Sequence, residues 1–155
     1  MINIVLVEPR IPQNTGNIGR LCLAINARLH LIYPLGFMLD SKAIKRSGMD
    51  YFRYVDLIKW DNLSDFWEAN PIDDNHFFLS TKAEKYYFDI HYNNECFLYF
   101  GREDLGLDIK ILESNKDRLL KIPMFNNARS LNLSNCVSIV AYEVLRQNFS
   151  KLMIE

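Results

Sequence analysis

Short, nearly unbroken apolar runs alternate with stretches of helical periodicity along the whole chain, and this alternation limits the fold more than any other feature. Apolar runs at Ile2–Val7, Leu29–Tyr33, Tyr54–Lys59, His76–Ser80, Cys96–Phe100 and Leu119–Ile122 read as strands. They are short and largely apolar, as strands covered on both faces are. Helical patterns fall near Gly16–Ala27, Ser41–Ser47, Leu63–Ala69, Ile109–Glu113 and Leu133–Phe149. Strand and helix in turn predict an α/β fold, a mostly parallel sheet flanked by helices. The chain has 155 residues with no internal repeat and no Pro/Gly/Ser linker. A single domain, residues 1–155, is the expectation.

In the last helix, Leu133, Val137, Val140, Val144 and Leu145 recur at helical spacing and form one apolar stripe. Ile139, Tyr142 and Phe149 widen that surface. A terminal helix this apolar packs on two sides, either within its own monomer or against a second subunit.

A hydrophobic share of 49% and a charged share of 24% are ordinary for a globular protein and argue against disorder. No apolar run approaches the roughly 20 residues needed to span a bilayer. The start of the chain lacks a basic segment and a small-residue cleavage site, so it reads as a strand and the expected location is cytosolic. Cys22, Cys96 and Cys136 are odd in number and far apart, which fits buried reduced thiols better than disulfides or a zinc site. Net charge is only −1, but it is unevenly spread. Residues 10–59 hold eight basic side chains against Asp40, Asp50 and Asp56. Such a basic half is either a solvated face or a surface for phosphates.

Several chemistries lack their signatures. The six glycines form neither GxGxxG nor GxxxxGK[ST]. The second strand ends in Tyr33-Pro34 without the acidic residue that holds a ribose in dinucleotide folds. His30, His76 and His91 are isolated, with no HxxxH or HExxH to suggest a metal, and His30 and His76 read as structural. No GxSxG marks a hydrolase nucleophile.

Three loops that follow strands remain, and open α/β sheets bind ligands at the carboxyl ends of strands. The first runs from Glu8 to Arg20, with two prolines at its entry, and Asn14 or Thr15 as expected caps of the next helix. Arg20 there can grip a phosphate or hold a hydroxyl. The second is Tyr99–Leu107, where Gly101 allows close approach by a ligand and Glu103 can anchor loop or ligand. The third, Ile122–Asn135, is polar in its middle and ends at a helix N-terminus. Its Ile122, Met124 and Leu131 can wall a flat base. Each loop alone also has an explanation as a turn or a capped helix, although one as long as the third is more often functional than not in a compact domain.

Together the segments Pro12-Gln13-Asn14-Thr15-Gly16-Asn17-Ile18-Gly19-Arg20, Phe100-Gly101-Arg102-Glu103-Asp104-Leu105-Gly106-Leu107, and Ile122-Pro123-Met124 with Ser130-Leu131-Asn132-Leu133-Ser134-Asn135 resemble the three motifs of SPOUT-class RNA methyltransferases. The chain is most similar to their small single-domain tRNA 2′-O-methyltransferases, which modify the wobble nucleotide, a cytidine or modified uridine. The resemblance implies a deep trefoil knot in the C-terminal part of the sheet, which periodicity alone does not suggest. It implies S-adenosylmethionine as methyl donor with no metal, tRNA as substrate and a homodimer, with neither membrane nor DNA as partner. Donor-binding positions fall on Leu79, Gly101, Ile122 and Ser130, with Met124 and Leu131 beside them. The catalytic positions fall on Arg20 and Asn14, and Glu103 and Asn132 take the remaining polar positions. An arginine is a poor proton acceptor, so Arg20 is read as a charge that stabilises a developing oxyanion. A methyltransferase for another tRNA or rRNA site, or a non-catalytic RNA-binding module, are the alternatives.

Lys42, Lys45 and Arg46 share one face of the expected helix at Ser41–Ser47. Neutralising them is expected to weaken tRNA binding and flatten its salt dependence, measured by filter binding across a salt series, while donor binding stays unchanged.

Overall fold

The computed structural model describes residues 1–39 and 50–152. The helix expected at Ser41–Ser47, with Lys42, Lys45 and Arg46, lies outside the described residues. In chain order the elements are β1 (Ile2–Val7), α1 (Pro12–Ala24), β2 (Arg28–Ile32), a 3₁₀ turn (Asp50–Tyr54), β3 (Leu57–Trp60), α2 (Leu63–Ala69), β4 (His76–Leu79), β5 (Lys85–Tyr86), β6 (Cys96–Phe100), α3 (Ile109–Ser114), a second 3₁₀ turn (Lys116–Arg118), β7 (Leu119–Lys121) and α4 (Leu133–Leu152). Among the described residues seven strands form one sheet, in the order β3-β2-β1-β6-β4-β7-β5. Every pairing within it is parallel.

Burial explains why the strands read as continuous apolar runs. All six residues of β1 are buried. Ile4 and Leu6, with Leu29, Leu31, Leu98 and Phe100, face one layer, which includes Ile18 and Cys22 of α1 and Val137, Val140 and Val144 of α4. Val5, Val7, Ile32, Phe78 and Tyr99 face the other, where Phe66 of α2 and Leu112 of α3 close over them. The stripe on α4 is buried as its spacing requires, but Leu145 is only half-covered and Tyr142 and Phe149 stand out at 52% and 55% exposure. Among the described residues, no helix is long and apolar enough to cross a membrane.

Three expectations need correction. Helix α1 begins at Pro12, not Gly16, and its cap residue Ile11 makes no side-chain bond. Asn14 and Thr15 are therefore buried inside the first turns and cap nothing. A proline suits the first helical position because its N–H would be unpaired there anyway. The helix stops at Ala24 rather than Ala27, with Asn26 in the left-handed region at φ 51°. The strand expected over Tyr54–Lys59 starts only at Leu57, because the residues before it curl into a 3₁₀ turn against α1. Strand β5, two exposed residues long, carries no apolar pattern and was not anticipated.

Strands β4 and β5 lie on opposite flanks of β7, opposing its Leu119–Leu120 and Leu120–Lys121 respectively. Only residues 80–84 join them, so that short link carries the chain across β7. Ser80 N–H donates to the Leu120 carbonyl at 2.9 Å and Tyr87 N–H to that of Lys121 at 3.0 Å.

The buried histidines are structural, as expected. Trp60 Nε1–H donates to His30 Nδ1 at 3.0 Å, which leaves the proton on Nε2, 3.1 Å from Asn3 Oδ1. Asn3 Nδ2 in turn donates to the Cys96 carbonyl at 3.3 Å. This polar line crosses β3, β2, β1 and β6. Tyr99 Oη receives Trp67 Nε1–H at 3.1 Å and lies 2.7 Å from His76 Nδ1.

Burial first, then the nearby Arg28 charge, lowers the His30 pKa from 6.5 to about 4. Burial likewise lowers that of His76. The unfolded chain therefore takes up protons that the folded chain refuses, so stability falls as pH drops from 6.5 towards 4. For His30 the loss approaches about 3 kcal/mol at the acid end. Urea unfolding at pH 7.5 and pH 5 should show this loss, and His30→Gln should reduce the difference between the two pH values.

Candidate functional site

A cleft of about 550 Å³ opens at the carboxyl ends of β4, β6 and β7. Leu79, Gly101, Ile122, Met124, Ser130 and Leu131, the six positions expected around a donor, all line it. They come from three separate segments, so the sheet brings together what the sequence keeps apart. Apolar walls from Leu79, Ile122, Met124 and Leu131 meet a polar side that includes Ser80, Thr81 and Asn132.

The three loops are tied to one another through Glu103. Its carboxylate accepts from the N–H groups of Arg10 at 2.7 Å and Ile11 at 3.1 Å, just ahead of α1. A carboxylate at this end also complements the helix dipole. Glu103 Oε1 accepts from Asn14 Nδ2 at 3.2 Å. Asn14 Oδ1 accepts from Asn132 Nδ2 at 3.0 Å. Asn132 Oδ1 then accepts from Ser134 N at 2.9 Å and Ser134 Oγ at 2.7 Å, at the start of α4. Glu103 was open to either a loop or a ligand role in the sequence, and its hydrogen bonds show that it anchors the loop.

Gly101 has a different reason to be glycine from the one expected. The backbone of Gly106 and Leu107 passes so close that a Cβ at position 101 would overlap it. The close approach is therefore made by the chain itself. Arg102 and Gly106 exchange both backbone hydrogen bonds, at 3.2 and 2.8 Å, and Gly106 sits at φ 69°. The loop's charges also pair locally, Arg102 Nε and Nη2 reaching Asp104 at 2.9 and 2.7 Å. That hydrogen-bonded pairing holds the Asp104 carboxyl below its ordinary range.

Asn14 lines the cleft, whereas Arg20 does not. Arg20 is exposed on α1, and its guanidinium lies over the Tyr51 ring at 4.9 Å from the centroid. It takes part in no ion pair among the described residues. Tyr51 and Phe52 were not singled out from the sequence. A usable signal was Gly16 and Gly19, three apart on α1: Tyr51 Oη donates to the Gly16 carbonyl at 3.1 Å, and a Cβ on Gly19 would stand 2.8 Å from the Phe52 ring. Cys22 and Cys96 are buried and free, and burial pushes both thiols up to about 12. Cys136 departs from the expectation, being half-buried on the cleft wall.

The profile of the SpoU rRNA Methylase family matches residues 1–142. A tRNA (cytidine(34)-2'-O)-methyltransferase of Saccharophagus degradans is 44% identical over 151 residues, 95% of this chain and 96% of that protein. A solved structure described as "Structural insights into the 2-OH methylation of C/U34 on tRNA" superposes with a TM-score of 0.90 at 40% identity, over 97% of this chain and 98% of the other. AviRb from Streptomyces viridochromogenes, solved with the cofactor AdoMet, shares the fold at 24% identity and a TM-score of 0.79, over 96% of this chain and 58% of that one. With a matching profile over nearly its whole length and near-full-length relatives of this identity, the chain belongs to the SpoU rRNA Methylase family.

Proposed function

We propose that this protein methylates the ribose 2′-hydroxyl of the wobble nucleotide of tRNA, a cytidine or modified uridine at position 34, with S-adenosylmethionine as donor. The observation that carries the reading is that the three motif segments form one cleft bound together by Glu103, Asn14 and Asn132. The relatives of matching length carry this activity in their names.

The cleft suits such a donor. Its volume of about 550 Å³ lies in the range of small-molecule sites. Leu79, Ile122, Met124 and Leu131 offer faces for a flat base, while Ser130 and the Gly101 backbone offer polar contacts. When bound, S-adenosylmethionine supplies an electrophilic methyl group on a sulfonium. The chain's own contribution is placement of the ribose hydroxyl, which can be worth several kcal/mol. Arg20 supplies a fixed cation at the developing oxyanion, and its planar donors can also hold a flanking phosphate. Asn14, tied on both sides, keeps the cleft wall in register with α1.

A homodimer belongs to the same reading. Tyr142 and Phe149 on α4, with Leu23 on α1 at 38% exposure, leave apolar surface on two adjoining helices. Arg20 stands outside its own cleft, so a second copy is the natural place for it to act. The trefoil path is supported by the 80–84 crossing of β7 and by family membership. A cytosolic location follows from a tRNA substrate.

The test is methyl mapping by mass spectrometry on tRNA that lacks the wobble modification. The wild-type chain should install one 2′-O-methyl there. Arg20→Ala should lose roughly a hundredfold in rate while calorimetric donor affinity is kept. No wobble methyl would sink the assignment, and an Arg20→Ala variant at the normal rate would remove the role given to Arg20. Mixing Arg20→Ala chains with Leu131→Arg chains, whose cleft is filled, should recover activity in mixed dimers. No recovery from chains that do form mixed dimers would rule out a shared site.

A further inference from the structure

The 3₁₀ turn Asp50–Tyr54 plays no part in the reading so far, yet it touches α1 at its most consequential side chain. We infer that Tyr51 is a positioning residue for Arg20, holding the guanidinium in the orientation that methyl transfer needs. The inference rests on the role given to Arg20 above.

Three contacts carry it. The Arg20 guanidinium lies 4.9 Å from the centroid of the Tyr51 ring. The ring itself is fixed, because Tyr51 Oη donates to the Gly16 carbonyl at 3.1 Å. Helix geometry directs that same carbonyl to the Arg20 N–H four residues on, so Tyr51 grips both the backbone site and the charged end of Arg20. The third contact lets the turn come close. Gly19 has no side chain, and a Cβ there would stand 2.8 Å from Phe52 Cε2 and 3.0 Å from Cδ2. The bare helix surface just before Arg20 is what seats the turn.

An aromatic partner fits this task better than an acidic one. A carboxylate would occupy the guanidinium's N–H donors in a bidentate pair. A ring takes only its face and leaves the donor edges free for an oxygen on another molecule. An exposed arginine on a helix otherwise samples many rotamers, and limiting them before the substrate arrives lowers the entropy lost on binding. The same turn contains a control. Arg53 lies over its neighbour Tyr54 at 4.8 Å from the ring centroid, a similar contact that does not involve Arg20.

The experiment measures kcat and KM for unmodified tRNA with the full-length protein, together with donor affinity by calorimetry and melting temperature. Tyr51→Leu should lower kcat about tenfold while donor affinity is unchanged. Tyr51→Phe, which keeps the ring but loses its tether to the Gly16 carbonyl, should fall between Tyr51→Leu and the wild type, and Tyr54→Leu should match the wild type. The decisive comparison repeats Tyr51→Leu in an Arg20→Ala background, where it should have no further effect. The inference is overturned if Tyr51→Leu stays within about twofold of the wild type, or if it costs the same factor with Arg20 absent. Should Tyr51→Leu fail to fold, Tyr51→Met takes its place with the same expectations. An Arg20→Ala chain with normal activity would instead remove the role of Arg20 itself. A dead Arg20→Ala chain beside a normal Tyr51→Leu chain would overturn only the positioning.

Discussion

The site depends on one carboxylate. Glu103 sits in the loop after β6, yet its oxygens take the N–H groups of Arg10 and Ile11 and the side-chain amide of Asn14. A helix start leaves N–H groups unpaired, and here no residue of the first loop's own side chains meets that need. Glu103 instead reaches across the sheet to the N–H groups of the two residues just ahead of the helix. The entry to helix α1 and the loop after β6 are therefore held together. The chain of amides then continues through Asn14 to Asn132, which caps α4. Two helices on one face and two loops at the sheet's edge thus share one set of hydrogen bonds. Replacing Glu103 would leave donors at the start of α1 with no acceptor, a loss felt at the cleft wall as well as in the helix.

The architecture was largely legible in the sequence because burial imposes it directly. Strand β1 is buried on both faces, so every one of its residues had to be compatible with a core. Helix α4 announced its buried face through Val137, Val140 and Val144. What could not be read were features decided by distant partners. The start of α1 was misplaced because Asn14 and Thr15 are good local caps, whereas the actual acceptor is 89 residues away from Asn14. The strand expected over Tyr54–Lys59 was started three residues early because Tyr51 and Phe52 find partners on α1, and local propensity carries no information about that contact. Strand β5 was invisible because two exposed residues carry no apolar pattern: it exists by pairing with β7.

The candidate site shows the same division. All six positions assigned to the donor meet around one cleft, which follows from their lying at the carboxyl ends of neighbouring strands. The motif glycine Gly101 was correctly marked as special, but for a reason that needed coordinates, namely the passage of Gly106 and Leu107 beside it. Arg20, expected at the reacting hydroxyl, lies exposed on α1 outside the cleft, with its guanidinium over a ring that the sequence did not point to. Buried polar lines such as Trp60–His30–Asn3 show that not every histidine in an enzyme belongs to its chemistry.

The crossing of β7 by residues 80–84 has a consequence for how the molecule comes into being. Strand β5 is paired only with β7, and the link that precedes it forms part of the cleft wall through Ser80, Thr81 and Lys82. A growing chain that has not yet reached Leu119 can lay down β1, β2, β6 and β4 but has nothing to hold that wall in shape. The shape of the pocket and the pairing of β7 are thereby coupled. A chain that ends before β7 would also lack Ile122, Met124 and Leu131, which follow that strand and line the cleft as well. The same strand that fills the gap between β4 and β5 thereby shapes the mouth of the cleft.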